Sequence, residues 1–350
     1  MGFEDFEAYL KRNKKKEKTI EVYISNLALT ERFLGKPLDK TTTKADIESY
    51  LNSISEQASN TVIIKLLALK LYFKWLYGMK KGYPDVVDFP FPRRTLNNLT
   101  SSDLLTEEEV LKLINVADSL RDKALISLLF DSACRIGEII NLDIEDVKLD
   151  TDTGSIDVDG KTGRRTVPIS KSIPFLRDWI NCHPIKKADS PLFCSVKNNF
   201  GKRTSDENIR AMLKTVKKRA GIKKHIFPHL FRHSRLTQLD KKQLSHTAMK
   251  YFAGWSKSSN MPSVYSHFSA QDTTEAVYSV DGVINKKVEI DKKILEPVKC
   301  WNCKSLQNPN NLFCSTCNSP LNEEAKAKRE FMQLIFEPDV WKFLQSKMKK

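Results

Sequence analysis

The chain has 350 residues, with 58 Lys and Arg against 43 Asp and Glu and a formal net charge of +15. That length suits two or three domains, and a hydrophobic fraction of 40% is enough to build cores, which excludes a wholly disordered chain. The positive excess points to a polyanionic partner. No apolar run approaches the roughly 18 residues of a membrane span, so a soluble cytoplasmic protein with no membrane partner is expected.

The opening segment, Met1 to Phe6, is acidic and lacks the Ser or Thr of a myristoylation site, so neither a leader nor a lipid anchor is expected. Apolar residues then recur at spacings of three and four. Phe6, Tyr9 and Leu10 start a stripe that resumes at Ile20, Val22, Tyr23, Leu27, Leu29 and Phe33, on the far side of a basic run (Lys11, Arg12, Lys14, Lys15, Lys16, Lys18). Thr43 with Asp46 three residues on reads as a helix cap, and 60–77 as a further helix. With no alternating pattern in the block, residues 1–82 are expected to form a small helical bundle. Pro84, Pro90 and Pro92 precede Arg93 and Arg94. Prolines interrupt helices and extend the chain, so 83–103 is expected to be a linker.

A second domain is expected over 104–282. Thr106 followed by three glutamates is a helix start, and helices are expected over 110–116 and 124–140. Residues 154–169 alternate apolar and polar on both sides of Gly160-Lys161-Thr162-Gly163, the pattern of a β-hairpin. Helical periodicity returns from Ile173 to about Val280. The fold class expected is therefore mainly α with a small β-hairpin or sheet, an α+β domain behind a helical one.

Cys134, Cys182 and Cys194 are scattered and read as reduced, buried thiols. Cys300, Cys303, Cys314 and Cys317 instead form C-x2-C-x10-C-x2-C, which in an intracellular protein favours metal over disulfides. Two thiolate pairs close a tetrahedron around one Zn2+ with no position left for water, so the site is expected to be structural. The connector and this zinc ribbon occupy 283–322, and an amphipathic tail helix, bent at Pro338, is expected over 323–350.

Four segments bear chemistry: Ala133-Cys134-Arg135-Ile136-Gly137-Glu138, where a helix gives way and restarts; Lys161 with Arg164 and Arg165 on the hairpin; Pro228-His229-Leu230-Phe231-Arg232-His233; and Gly254-Trp255, ten residues before Tyr265. Arginine, hairpin lysine, H-x-x-R, His or Trp, then tyrosine, in that order, resembles the tyrosine recombinase (phage integrase) family. The resemblance covers about 280 residues and leaves the cysteine segment outside. That added ribbon is similar to those of some archaeal and archaeal-virus integrases.

The resemblance implies a site-specific DNA recombinase that cuts and rejoins strands through a 3′-phosphotyrosyl link, with Tyr265 as nucleophile and no ATP, other nucleotide or catalytic metal. Arg135 and Arg232 would hold the phosphate with planar forks and offset its developing charge. Lys161 fits the general acid. Trp255 stands where His is commoner, and since indole only donates, the proton of Tyr265 would pass to His229 or to the phosphate. His233 is read as a structural hydrogen-bonder. The bundle resembles the family's core-binding (SAM-like) domain, so its basic run, with Arg93, Arg94, Arg164 and Arg165, is expected to contact duplex DNA. The resemblance further implies a homo-tetramer on DNA, a monomer or dimer when free, a neighbour contact through 272–280, and a location at the nucleoid. Integration and excision of a mobile element is the preferred role. A chromosome-dimer resolvase, a type IB topoisomerase and a non-cutting DNA-binding regulator are the competing readings.

Overall fold

The computed structural model describes residues 3–93, 99–160, 163–197, 199–265 and 295–335. Arg94, Lys161, the 272–280 segment and the chain after 335 therefore lie outside the described residues. The chain divides into two compact units, 1–98 and 99–350.

The first unit is helical: α1 (Glu4–Arg12), α2 (Glu17–Leu34), α3 (Lys44–Ser53) and α4 (Ser59–Leu76). Phe6, Leu10, Leu27, Ile47, Leu69 and Phe73 meet in its core. The cap at α3 is reciprocal: the Asp46 amide donates to Thr43 Oγ1 at 3.2 Å, and the Thr43 amide donates to Asp46 Oδ2 at 2.7 Å. Such a cap contributes about 1 kcal/mol.

The proline segment differs from a plain extended linker. A 3-10 turn at Asp85–Val87 buries Val86 and Val87 in the bundle core. The Lys70 ammonium lies 4.8 Å from the Tyr83 ring and 4.9 Å from that of Phe91. Two adjacent valines provide apolar area that proline spacing alone does not weigh, and burying it holds this stretch on α4.

The second unit starts with α5 (Glu107–Asn115), capped by Thr106 and Glu109, and α6 (Leu120–Asp131). α6 does not run on to 140. Ala133 takes φ 49°, which breaks the helix, and α7 restarts at Ile136–Ile140. An antiparallel sheet follows, with β1 (Val147–Leu149), β2 (Gly154–Gly160) and β3 (Gly163–Ile169) in the order β1-β2-β3. The expected hairpin thus gains a third strand. Ile156, Val158, Val167 and Ile169 face the core, and pairings such as Val158 with Arg165 set the register. α8 (Ile173–Asn181), α9 (Asp206–Ala220), α10 (Pro228–Lys241) and α11 (His246–Ala253) complete the layer. Between α8 and α9 the chain is irregular, yet it contributes Leu192, Phe193 and Cys194 to the core.

The cysteine segment packs against this unit. Leu295 is 2% exposed and belongs to the main core. The short pair β4 (Val298–Lys299) and β5 (Leu306–Gln307) is held by an Arg177 Nη1 bond to the Leu306 carbonyl at 3.1 Å and by a Lys299–Asp152 ion pair. α12 (Glu323–Ile335) follows. Among the described residues, no helix is long and apolar enough to cross a membrane.

Candidate active site and cysteine cluster

His229, Arg232 and His233 lie on the first turns of α10, at spacings that put them on one face. Arg232 is 1% exposed. Its Nη1 donates to the Ala133 carbonyl at 2.7 Å and its Nη2 to the Ala253 carbonyl at 2.7 Å. The left-handed backbone at Ala133 belongs to this arrangement; a non-glycine residue held there stores about 1 kcal/mol or more of strain, a feature that concentrates at functional sites. Burial, then the nearby Arg135, lowers the Arg232 pKa to about 10, so it remains a cation at neutral pH.

Arg135 forms the N-terminal boundary of α7. Its Nη1 donates to Glu138 Oε1 at 2.9 Å and its backbone N–H to Glu138 Oε2 at 2.9 Å. Its guanidinium also reaches the Gly254 carbonyl at 3.4 and 3.5 Å. Arg165 does not lie on a DNA-facing surface as expected. It is 7% exposed, and its Nη1 and Nη2 grip the two Glu138 oxygens at 3.1 and 3.0 Å. The reason is the two-residue period of β3, which places Arg165 on the same inward face as Val167 and Ile169. Burial drives the Glu138 carboxyl upward, but the hydrogen bonds from Arg165 and Arg135 outweigh it and leave the pKa below the usual carboxylate range. Three guanidinium groups therefore converge with one carboxylate, which leaves excess positive charge.

Tyr265 is 4% exposed and lies between two aromatic partners. Trp255 stacks on it with centroids 5.6 Å apart, and His233 lies 5.5 Å away on a tilted plane. His233 in turn packs edge-on against His229 at 4.6 Å, and the Arg232 guanidinium is 5.4 Å from the Trp255 ring. Arg232, Trp255, Tyr265, His233 and His229 are thus linked in one cluster with Arg135 beside it. Burial raises the Tyr265 pKa while the two arginines pull against it. Burial lowers the pKa of His229, aided by Arg232 and Arg135, and takes that of His233 to about 4, aided by His229 and Arg232. Both imidazoles are neutral at pH 7, so each has a ring nitrogen able to accept a proton. Sequence reasoning had Glu138 only as part of a motif and did not weigh it as a partner of Arg165.

The basic run spans the end of α1 and the start of α2, and Lys11, Arg12, Lys14, Lys15, Lys16 and Lys18 are all exposed. Lys11 pairs with Glu7 at 2.6 Å. Arg93 is exposed. Arg164 is exposed too and pairs with Asp146 at 3.2 Å.

The four cysteines of the C-terminal segment converge, their sulfurs all within 4.8 Å of one another. Cys300–Cys317 and Cys303–Cys314 are 3.6 and 3.5 Å apart. Zn–S bonds of about 2.3 Å put tetrahedral sulfurs about 3.8 Å apart, so the donors fit such an ion. Two matching knuckles create this geometry. The Cys300 amide donates to the Ser305 carbonyl at 2.9 Å and the Cys314 amide to that of Ser319 at 2.8 Å, while Lys304 and Asn318 take φ 62° and 56°.

Residues 103–272 match the phage integrase family model, and residues 3–81 match the phage integrase N-terminal SAM-like domain. Tyrosine recombinase XerA of Pyrococcus furiosus is 30% identical over 283 residues, 78% of this chain and 92% of that protein. A tyrosine recombinase of Thermosipho africanus is 29% identical over 289 residues, 79% and 96% of the two chains. In fold, the chain is similar to lambda integrase in its tetramer bound to a Holliday junction, with a TM-score of 0.59 and 18% identity over 75% of each chain. It is likewise similar to XerH bound to its difH substrate after cleavage, with a TM-score of 0.57 and 20% identity over 75% of this chain and 80% of that one. Fold and sequence together define a site-specific DNA recombinase. The chain belongs to the tyrosine recombinase (phage integrase) family.

Proposed function

We propose that the protein cleaves and rejoins duplex DNA at a specific site through Tyr265, and that it integrates and excises a mobile element. The observation that supports this most is the packing of Tyr265 within a cluster containing two arginines and two neutral histidines. The Tyr265 oxygen attacks the scissile phosphorus, and the bond to the 5′ oxygen breaks. The tyrosine proton passes to His229 or to a phosphate oxygen, and Lys161 protonates the departing 5′ oxygen. Arg135 and Arg232 offset the charge that builds on the non-bridging oxygens. The phosphotyrosyl ester keeps the energy of the broken bond, so rejoining is the same step reversed and requires no ATP or catalytic metal.

The remaining assignments follow from this reading. Residues 1–82 act as the core-binding domain and 104–282 as the catalytic domain, joined by 83–103, with connector and ribbon at 283–322 and a tail at 323–350. Lys11, Arg12, Lys14, Lys15, Lys16, Lys18, Arg93, Arg94 and Arg164 bind phosphates of cytoplasmic, nucleoid DNA. Four copies assemble on two duplexes. One Zn2+ held by Cys300, Cys303, Cys314 and Cys317 keeps the ribbon folded.

The test starts from genomic DNA of the source. Sheared fragments are incubated with the protein, denatured, and the DNA that remains covalently attached is sequenced. Adducts should map to a discrete site and vanish with Tyr265→Phe; no adduct despite DNA binding would refute the enzyme. Adducts at the ends of a mobile element support integration, and a single chromosomal site supports dimer resolution. A nicked duplex of that site with sulfur in place of the 5′-bridging oxygen should restore cleavage to Lys161→Ala, because a thiolate leaves without an acid. No rescue would move the acid elsewhere.

A further inference from the structure

A buried arginine on the core face of a strand is costly unless paired, and the pairing of Arg165 is bidentate to Glu138 with both side chains nearly buried, 6% and 4% exposed. The same two Glu138 oxygens also serve Arg135. Oε1 accepts from Arg135 Nη1 and from Arg165 Nη1; Oε2 accepts from the Arg135 backbone N–H and from Arg165 Nη2. Glu138 alone would tie up Arg135 in a closed ion pair, with the carboxylate cancelling the guanidinium charge. With Arg165 present, the carboxylate is already balanced and its orientation fixed, so it aims Arg135 without neutralising it.

Arg165 also joins elements that share no strand or helix. Its Nε donates to the Phe252 carbonyl at 3.4 Å, at the end of α11. Gly254 lies so close to this guanidinium that a Cβ there would stand 2.5 Å from Cζ, and a Cβ on Gly160 would stand 2.6 Å from Glu138 Oε1. The base of the hairpin, the start of α7 and the end of α11 therefore close on one charged knot.

We propose that Arg165 is a positioning residue for the strand-cleavage reaction, holding Glu138 so that Arg135 presents an uncompensated guanidinium to the scissile phosphate. The inference rests on the recombinase reading above. It assigns Arg165 no contact with DNA.

The test measures single-turnover cleavage by the full-length protein on the nicked duplex recovered as described. The scissile position carries either a natural phosphate or a methylphosphonate, which lacks the anionic oxygen that Arg135 would offset. Arg165→Ala should slow cleavage of the natural phosphate about 100-fold, the scale of a catalytic group misplaced by about 1 Å. On the methylphosphonate its deficit relative to wild type should shrink to less than about 5-fold, as for Arg135→Ala. The double variant should be no slower than Arg135→Ala alone, because both changes remove one interaction.

Cleavage at the wild-type rate, an equal deficit on both substrates, or deficits that multiply would each overturn the inference. If Arg165→Ala does not fold, Arg165→Lys decides the matter. It keeps Glu138 paired but lacks the fork, and should show about a 10-fold deficit with the same rescue; no deficit or no rescue overturns the inference. A wild type that forms no adduct would refute the recombinase reading and the inference with it, whereas a competent wild type with unresponsive Arg165 variants refutes the inference alone.

Discussion

Trp255 lies nearly flat on Tyr265, with ring centroids 5.6 Å apart and planes 26° apart, and the Arg232 guanidinium lies 5.4 Å from the same indole. The indole is thus a spacer between a cation and the nucleophile of the proposed reaction. Aromatic stacking beyond simple burial contributes about 0.5–1.5 kcal/mol. Trp255→Ala should slow adduct formation about 10-fold, while Trp255→Phe, which keeps a ring but no N–H, should lose less than about 3-fold. A large loss for Phe would assign the role to the N–H and not to the stack, and rates on the nicked duplex make the distinction.

Acid sensitivity has a defined sign. His233 is held at about 4 in the folded protein by burial and by His229 and Arg232, against an ordinary 6.5 when unfolded. Between these values the unfolded chain takes up a proton that the folded one refuses, so stability is lost as pH falls from about 6.5 to about 4, with no further loss from this group below that. His233→Asn should flatten part of that slope in denaturant melts at pH 7, 5.5 and 4.5. His229 shifts in the same direction, so adduct formation should hold its rate down to pH 6.5. The Tyr265 pKa is raised by burial, so at neutral pH the phenol carries its proton and cleavage requires a group to accept it. A slope unchanged in His233→Asn would contradict burial of a neutral ring.

Gly254 ends α11 with φ 62°, and a Cβ there would run into Arg165. Gly35 ends α2 with φ 66° and has nothing within 4 Å of such a Cβ. Ala at Gly35 should therefore cost about 1 kcal/mol, from backbone strain alone. Ala at Gly254 should cost about 2–4 kcal/mol and depress cleavage as well, since Arg165 has to move. Comparable melting midpoints for the two variants would remove the steric account.

Much of this was legible from spacing. The reciprocal cap at Thr43 and Asp46, the hairpin, the helical first unit and the approach of residues some 130 positions apart along the chain (Arg135 and Tyr265) all follow from short-range pattern or ordered motifs. Arg165 is grouped with its neighbour Arg164 among the expected DNA contacts, yet it is buried. The strand period had the opposite information, since an inward Val167 and Ile169 imply an inward Arg165. Ala133 gave no signal, because nothing in an alanine announces φ 49°; only Arg232, 99 residues on, makes that carbonyl's direction meaningful. Burial of Val86 and Val87 was likewise a tertiary result that proline spacing concealed.

The cysteine cluster predicts a stability effect that reaches the catalytic unit. With Leu295 in the core of the second unit and Arg177 bonded to Leu306, removing the proposed Zn2+ should loosen contacts with α8. Elemental analysis should give about one Zn per chain, and Cys300→Ser with Cys303→Ser should abolish it and lower the melting temperature by several degrees. A full zinc content in that variant would refute the site; an unchanged melting temperature would show that the ribbon is only an appendage.

Arg232 is anchored by the carbonyls of Ala133 and Ala253, and main-chain oxygens have no side chain to delete. A residue-by-residue substitution survey would therefore record these two alanines as sensitive to size alone and give no hint that they hold a cation. These two bonds are encoded in the path of the backbone and not in side-chain chemistry. Relatives could exchange nearly every residue around this arginine and still keep it in place, provided the chain turns the same way at 133.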